Sequence, residues 1–107
     1  MKLLLDECLP RKLKREFGGH EVFTIDEAGF KGLKNGKLIR AASETGFEVL
    51  ISVDKNIEYQ QSKINLPLAV LVLSAQTNRI ESLLPLMAEA LKVLGNIKTG
   101  EIITIEN

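Results

Sequence analysis

The sequence is poor in several residue types that often indicate a function. It contains one cysteine, one histidine and no tryptophan, and 14 basic residues balance 14 acidic ones. A single cysteine excludes an internal disulfide, and a single histidine excludes a site built on several imidazole ligands. The zero net charge removes the general electrostatic argument for nucleic-acid binding but leaves room for a local basic patch.

Long apolar runs are also missing. No segment approaches the roughly 20 residues that a membrane-spanning helix needs. The opening Met-Lys-Leu-Leu-Leu-Asp-Glu reaches acids too early for the apolar part of a signal peptide. With 107 residues and 45% hydrophobic content, the chain suits one domain over residues 1–107. We therefore expect a soluble, cytoplasmic protein without membrane contact.

Short apolar segments alternate with amphipathic helical segments. The predicted strands are Lys2–Leu5, Glu21–Thr24, Val49–Ser52, Leu68–Leu73 and Glu101–Ile105. Helices are expected after Pro10, from an N-cap at Asn35, as a short turn over residues 57–62, and from an N-cap at Asn78. Pro85 should break or kink the last helix. This alternation predicts a three-layer α/β/α sandwich with a mostly parallel sheet of about five strands.

Acidic residues follow two of the predicted strands. Asp6 and Glu7 come directly after the first strand, and Asp54 follows the third. Because the carboxyl ends of neighbouring parallel strands share one edge of the sheet, we expect Asp6 and Asp54 to border one pocket. Carboxylates this close repel one another unless a hard cation is bound, so the pattern predicts a Mg²⁺ or Mn²⁺ site. Either aspartate alone is equally typical of a turn or helix cap.

Amide and basic side chains are candidates for completing this site. Asn35 and Asn56 offer neutral oxygen ligands, although Asn35 also suits a helix N-cap. The basic residues nearest the expected pocket, and so the candidates for binding RNA phosphates, are Lys34, Lys37 and Lys55. Tyr59 could stack on a base, although a single tyrosine more often packs locally.

Further basic residues lie on the first predicted helix and around the glycine-rich loop. They are Arg11, Lys12, Lys14, Arg15, Lys31 and Arg40. Clusters of this kind are able to bind RNA phosphates. For Lys12 and Arg15 a solvated helix face is the simpler interpretation.

Four motifs resemble those of one known family. They are D-E-C-L-P at the start, then G-H-E-V, G-L-K-N-G and V-D-K-N-I-E-Y-Q-Q. Together they resemble the compact bacterial PIN-like group, which is likened to the toxin ribonucleases of toxin–antitoxin pairs. The resemblance implies an α/β/α fold and Mg²⁺- or Mn²⁺-dependent RNA cleavage. The acids of such a site follow strands one and three and stand at a helix start between them.

Carried onto this sequence, the resemblance gives the acids individual roles. Asp6, with Glu7 beside it, matches the first acid, and Asp54 matches the acid after the third strand. Asn35 and Asn56 stand where many relatives carry aspartate. These two amides remove about two negative charges and so lower the expected metal affinity. Because no side-chain nucleophile with a neighbouring base is visible, hydrolysis would use a metal-activated water.

Three hypotheses about function stay open. The first is a metal-dependent endoribonuclease, with the toxin of a toxin–antitoxin pair as its more specific form. Its expected partners are RNA, an antitoxin protein and a second copy of the chain. The second is a catalytically degenerate PIN-like module that binds RNA or protein.

The third hypothesis is a receiver-like phosphoacceptor domain. Its acids, hydroxyl and lysine would be Asp6, Glu7, Asp54, Ser74 and Lys98. Only about 13 residues separate Asp54 from the next predicted strand, which is too few for a crossover helix with its loops. The spacing therefore argues against this hypothesis.

Overall fold

The computed structural model describes residues 1–53 and 66–106, apart from the side chain of Asn35. In this part of the chain the strands are β1 (Lys2–Leu5), β2 (Glu21–Thr24), β3 (Val49–Ser52), β4 (Ala69–Ser74) and β5 (Ile102–Glu106). The α-helices are α1 (Asn35–Glu44), α2 (Ile80–Leu83) and α3 (Met87–Leu94), and 3-10 helices span Arg11–Glu16 and Leu84–Leu86. The first three predicted strands are confirmed to the residue, and β4 and β5 begin one residue later than predicted. The helical turn predicted over residues 57–62 lies outside the described residues.

The described strands form one parallel sheet in the order β2-β1-β3-β4-β5. In the register of the sheet, Leu4 of β1 lies between Phe23 of β2 and Leu50 of β3. The predicted adjacency of the first and third strands and the edge position of the last strand are therefore confirmed. The order reverses between β1 and β3, and open α/β sheets bind ligands in the crevice at such a switch point.

Each strand sends alternate side chains into two separate cores. On one face, Leu3 and Leu5 join Leu13 of the first 3-10 helix and the apolar side of α3. On the other face, Leu4 and Leu50 pack against the apolar side of α1. Because both faces of the sheet are covered, the central strands are apolar except at their ends, where Lys2, Ser52 and Ser74 lie. The predicted three-layer α/β/α sandwich is confirmed.

The region before α3 differs from the prediction in its cap. Asn78 is not the N-cap of α2, because Arg79 occupies that position without a side-chain cap. The Thr77 hydroxyl instead accepts the Arg79 backbone N–H at 3.1 Å. Pro85 lies within the 3-10 helix that separates α2 from α3, so the predicted break is confirmed. None of the helices in the described ranges is long and apolar enough to cross a membrane.

Candidate functional site

Asp6 lies directly after β1, at the crevice between β1 and β3. Its backbone N–H donates to the Ile51 carbonyl oxygen at 2.9 Å, which extends the pairing of the two strands by one residue. Its carboxylate accepts the Glu7 backbone N–H on Oδ1 at 2.9 Å and the Ser52 hydroxyl on Oδ2 at 2.7 Å. A carboxylate oxygen has more than one acceptor position, so these bonds orient Asp6 and still leave lone pairs for a cation.

Ser52 is the residue of this site that the sequence analysis did not assign. It ends β3 and is fully buried. Among the residues whose burial the structure describes, it is the one buried polar residue. Because side chains alternate along a strand, Ser52 points to the same face as Leu50 and enters the apolar α1 side. A buried hydroxyl needs a partner, and Asp6 supplies one. The signal in the sequence was a hydroxyl on an otherwise apolar strand.

Cys8 occupies the turn after Asp6 and is half-buried. The pKa of the Cys8 thiol is raised, mainly by burial and further by the negative charge of Asp6. A hydrogen bond with the Val53 backbone lowers this pKa but does not offset the rise. The thiol therefore stays protonated near neutral pH, whereas a nucleophilic cysteine needs its thiolate.

Glu7 shares a cleft with Asp6 because the chain turns sharply after β1. The Leu9 backbone N–H donates to the Asp6 carbonyl oxygen at 3.0 Å and closes this turn. The cleft has a volume of about 290 Å³. Its charged lining residues are Asp6, Glu7, Arg11, Asp26, Glu27 and Lys31. The cleft therefore brings acids from the ends of β1 and β2 together with two basic residues.

The described ranges alone do not complete a metal site. No three His, Cys, Asp or Glu side chains within residues 1–53 and 66–106 come together closely enough to hold an ion. Asp54, Lys55, Asn56 and Tyr59 lie outside those ranges, and their predicted roles stay predictions. Val53 is the last described residue before them, directly after the end of β3.

Glu27 is bound into a local network. Its carboxylate accepts the Thr24 backbone N–H at 2.9 Å, and the Thr24 hydroxyl accepts the Glu27 backbone N–H at 3.1 Å. This reciprocal pair has the pattern of a capping box. Lys14 Nζ donates to both carboxylate oxygens at 2.8 and 2.9 Å, and Arg11 contacts the group at 3.5 Å. The network ties the end of β2 to the first 3-10 helix.

The pH dependence of this network is testable. The hydrogen bond from Lys14 is the largest cause that lowers the pKa of Glu27 from 4.5 to about 2. A lowered folded-state pKa means a stabilising contribution that is full above pH 4.5 and is lost as the pH falls to about 2. We expect Glu27→Gln to unfold at a lower urea concentration than wild type at neutral pH. The difference between their urea midpoints should disappear as the pH approaches 2.

The matched control is Glu44→Gln, which changes an exposed glutamate at the end of α1. Its free energy of unfolding should stay close to that of wild type at every pH. If the urea midpoints of Glu27→Gln and wild type differ as much at low pH as at neutral pH, the ionised carboxylate is not the source of the stabilisation.

The start of α1 differs from the prediction. The N-cap role predicted for Asn35 is wrong, because α1 begins at Asn35 and Lys34 is its N-cap, without a side-chain cap. Since α1 connects two parallel strands, its start lies at the same edge of the sheet as the carboxyl ends of the strands. Lys34 and Lys37 are exposed there. Their contact with substrate, and ligation by Asn35, stay predictions.

The receiver-like hypothesis does not fit the placement of Lys98. Ser74 ends β4 at the carboxyl edge of the sheet, whereas Lys98 precedes β5 and so lies at the opposite edge. The Lys98 backbone N–H donates to the Glu101 carboxylate at 2.7 Å in the turn before β5. A lysine at that edge is remote from Asp6, which argues against phosphoacceptor chemistry.

A family model described as "PIN like domain" matches residues 1–70. The matched segment runs from β1 into β4 and contains Asp6, Glu7, Ser52 and Asp54. No curated protein and no solved structure matches the chain.

Proposed function

Because the chain belongs to the PIN-like domain family, we propose that it is a metal-dependent endoribonuclease. The position of Asp6 is the observation that carries this proposal. Asp6 lies at the switch point of a parallel sheet, and the Glu7 backbone and the Ser52 hydroxyl hold its carboxylate in one orientation. A carboxylate fixed in such a crevice is suited to hold a hard cation.

The proposed metal ligands come from both parts of the chain, the ranges that the structure describes and residues 54–65 outside them. Asp6 would bind Mg²⁺ or Mn²⁺ directly, with Glu7 on the same cleft as a direct or water-mediated ligand. Asp54, Asn56 and Asn35 would supply the remaining oxygens. A bound divalent cation would activate water and offset the charge that develops on the phosphodiester. The chain itself orients Asp6 and provides basic side chains for the RNA.

A non-catalytic binding module is the second candidate. Amides stand at Asn35 and Asn56, where many PIN-like relatives carry aspartate. Fewer carboxylates bind a divalent cation more weakly. In this case the cleft would hold RNA or a protein partner without cleaving it.

Cleavage of RNA with and without Mn²⁺ separates the two candidates. The substrate is a set of fluorescently labelled single-stranded RNAs of varied sequence, and the proteins are wild type, Asp54→Asn and the surface control Glu44→Gln. We expect cleavage by wild type and by Glu44→Gln that stops with EDTA and falls about 100-fold in Asp54→Asn. Folded wild type that cleaves none of these RNAs would overturn the nuclease proposal and favour the binding module.

The toxin role is a narrower form of the same proposal. We expect induced expression of wild type to arrest bacterial growth, and expression of Asp54→Asn to have no such effect. Normal growth with folded, soluble wild type would contradict this role without affecting the nuclease activity. An antitoxin would be a protein whose co-expression restores growth.

A further inference from the structure

Lys31 lies in a tight turn of the loop between β2 and α1. Gly29 and Gly32 flank its turn with φ angles of 80° and 91°, which glycine adopts without strain. Between them Phe30 is buried, and its backbone N–H donates to the Ile25 carbonyl oxygen at 3.0 Å. Burial of Phe30 anchors the loop, while Lys31 is exposed and lines the Asp6 cleft. The position of Lys31 is therefore fixed by its neighbours.

Arg11 reaches the same cleft from the first 3-10 helix. Its side chain is 79% exposed and contacts Glu27 only at 3.5 Å. Lys14, by contrast, holds Glu27 at 2.8 Å and is 30% exposed. An exposed ion pair with a long contact contributes little, so the Arg11 guanidinium can exchange Glu27 for another anion. Within the described ranges Arg11 pairs only with Glu27, and Lys14 already holds that carboxylate more closely.

The charges of the cleft make these two residues important. Asp6, Glu7, Asp26 and Glu27 also line it, and carboxylates repel the phosphates of an approaching RNA. A cleft of this kind admits a polyanion only where cations face it. Lys31 makes no ion pair with any residue of the described ranges. It lies on the loop between β2 and α1, whereas Arg11 begins the first 3-10 helix.

We propose that Arg11 and Lys31 form a phosphate-binding pair that seats a backbone phosphate of single-stranded RNA in the Asp6 cleft. This inference rests on the proposed function and adds residues that hold the substrate. The planar Arg11 guanidinium can donate two hydrogen bonds to one phosphate, and Lys31 adds a mobile point charge. Contacts of this kind read no base, so they bind RNA of any sequence.

The dissociation constant of a labelled single-stranded RNA tests this pair. Anisotropy is measured with EDTA present, so that the RNA stays intact, for wild type, Arg11→Ala and Lys31→Ala. The matched control is Lys12→Ala, because Lys12 is exposed on the same 3-10 helix and does not line the cleft. Each cleft variant should weaken binding about tenfold, and Lys12→Ala should leave it unchanged.

Two further measurements distinguish a phosphate contact from a structural effect. The slope of log affinity against log salt should fall by about 0.7 for each lost contact with a single strand. Lys31→Arg keeps the positive charge and should bind RNA as wild type does. Circular dichroism and thermal melting establish that each variant is folded.

The outcomes separate this inference from the proposed function. If wild type cleaves RNA while Arg11→Ala and Lys31→Ala bind it as Lys12→Ala does, the phosphate-binding pair is wrong and the nuclease proposal stands. If wild type binds RNA without cleaving it, tenfold weaker binding in both variants still supports the pair. If wild type neither binds nor cleaves RNA, both proposals fall.

Discussion

Replacing Asp6 with asparagine should lower the rate of Mn²⁺-dependent RNA cleavage by about 100-fold or more, with the fold intact. The amide keeps the shape of the side chain: its carbonyl oxygen can accept the Glu7 backbone N–H, and its NH₂ group can donate to the Ser52 hydroxyl oxygen. It loses the negative charge that a divalent cation needs. The effect should therefore appear in activity and metal affinity and leave the thermal melting temperature within a few degrees of wild type.

A comparison with Ser52→Ala sharpens this expectation. Ser52 touches Asp6 but is not itself a proposed ligand, so its loss should disorder the carboxylate without removing its charge. Residues that orient a ligand typically contribute about 10- to 100-fold. We expect a smaller loss than in Asp6→Asn, with higher Mn²⁺ restoring part of the rate. Unchanged cleavage in Asp6→Asn would contradict the assignment of Asp6 as a ligand.

Replacing Leu50 with alanine should destabilise the protein by about 2–5 kcal/mol. Leu50 is 1% exposed at the centre of β3, opposite Leu4 of β1 and Val70 of β4, and it packs on the α1 face of the sheet. The strands on both sides hold the backbone in place, so the cavity cannot collapse freely. Urea unfolding monitored by circular dichroism measures the loss.

The matched control for this prediction is Leu84→Ala. Leu84 is 42% exposed on the second 3-10 helix, so the same chemical change removes little buried surface. Its free energy of unfolding should fall by less than about 1 kcal/mol. Equal losses in the two variants would mean that the β3 core is not the source of stability.

The strand pattern and the family could be predicted because their signals are local. Short apolar segments bounded by glycine, proline or charged residues mark the strands, and the predicted bounds of β1, β2 and β3 match to the residue. The D-E-C-L-P start resembles its family through consecutive residues. Caps were harder, because Lys34 and Arg79 end up as N-caps beside asparagines that suit the position better. Neither N-cap makes a side-chain cap hydrogen bond, so side-chain capping is not what fixes the first residue of these helices.

The parts of the site that the sequence could not single out depend on tertiary contacts. Ser52 meets Asp6 only because β1 and β3 pair, although 46 positions separate the two residues. Arg11 and Lys31 enter one cleft because the first 3-10 helix and the loop after β2 meet at the end of the sheet. Among many surface cations, no sequence pattern distinguishes these two. Lys34 and Lys37 are exposed at the start of α1, and their predicted contact with RNA stays a prediction.

The most direct test is a crystal structure with Mn²⁺ soaked in, read by anomalous scattering at the carboxyl end of β1. We expect one strong peak with carboxylate oxygens of both Asp6 and Asp54 within ligand distance, about 2–2.5 Å. Saturating Mn²⁺ that leaves no peak at Asp6, or an Asp54 carboxylate directed away from a peak there, would contradict a shared metal site.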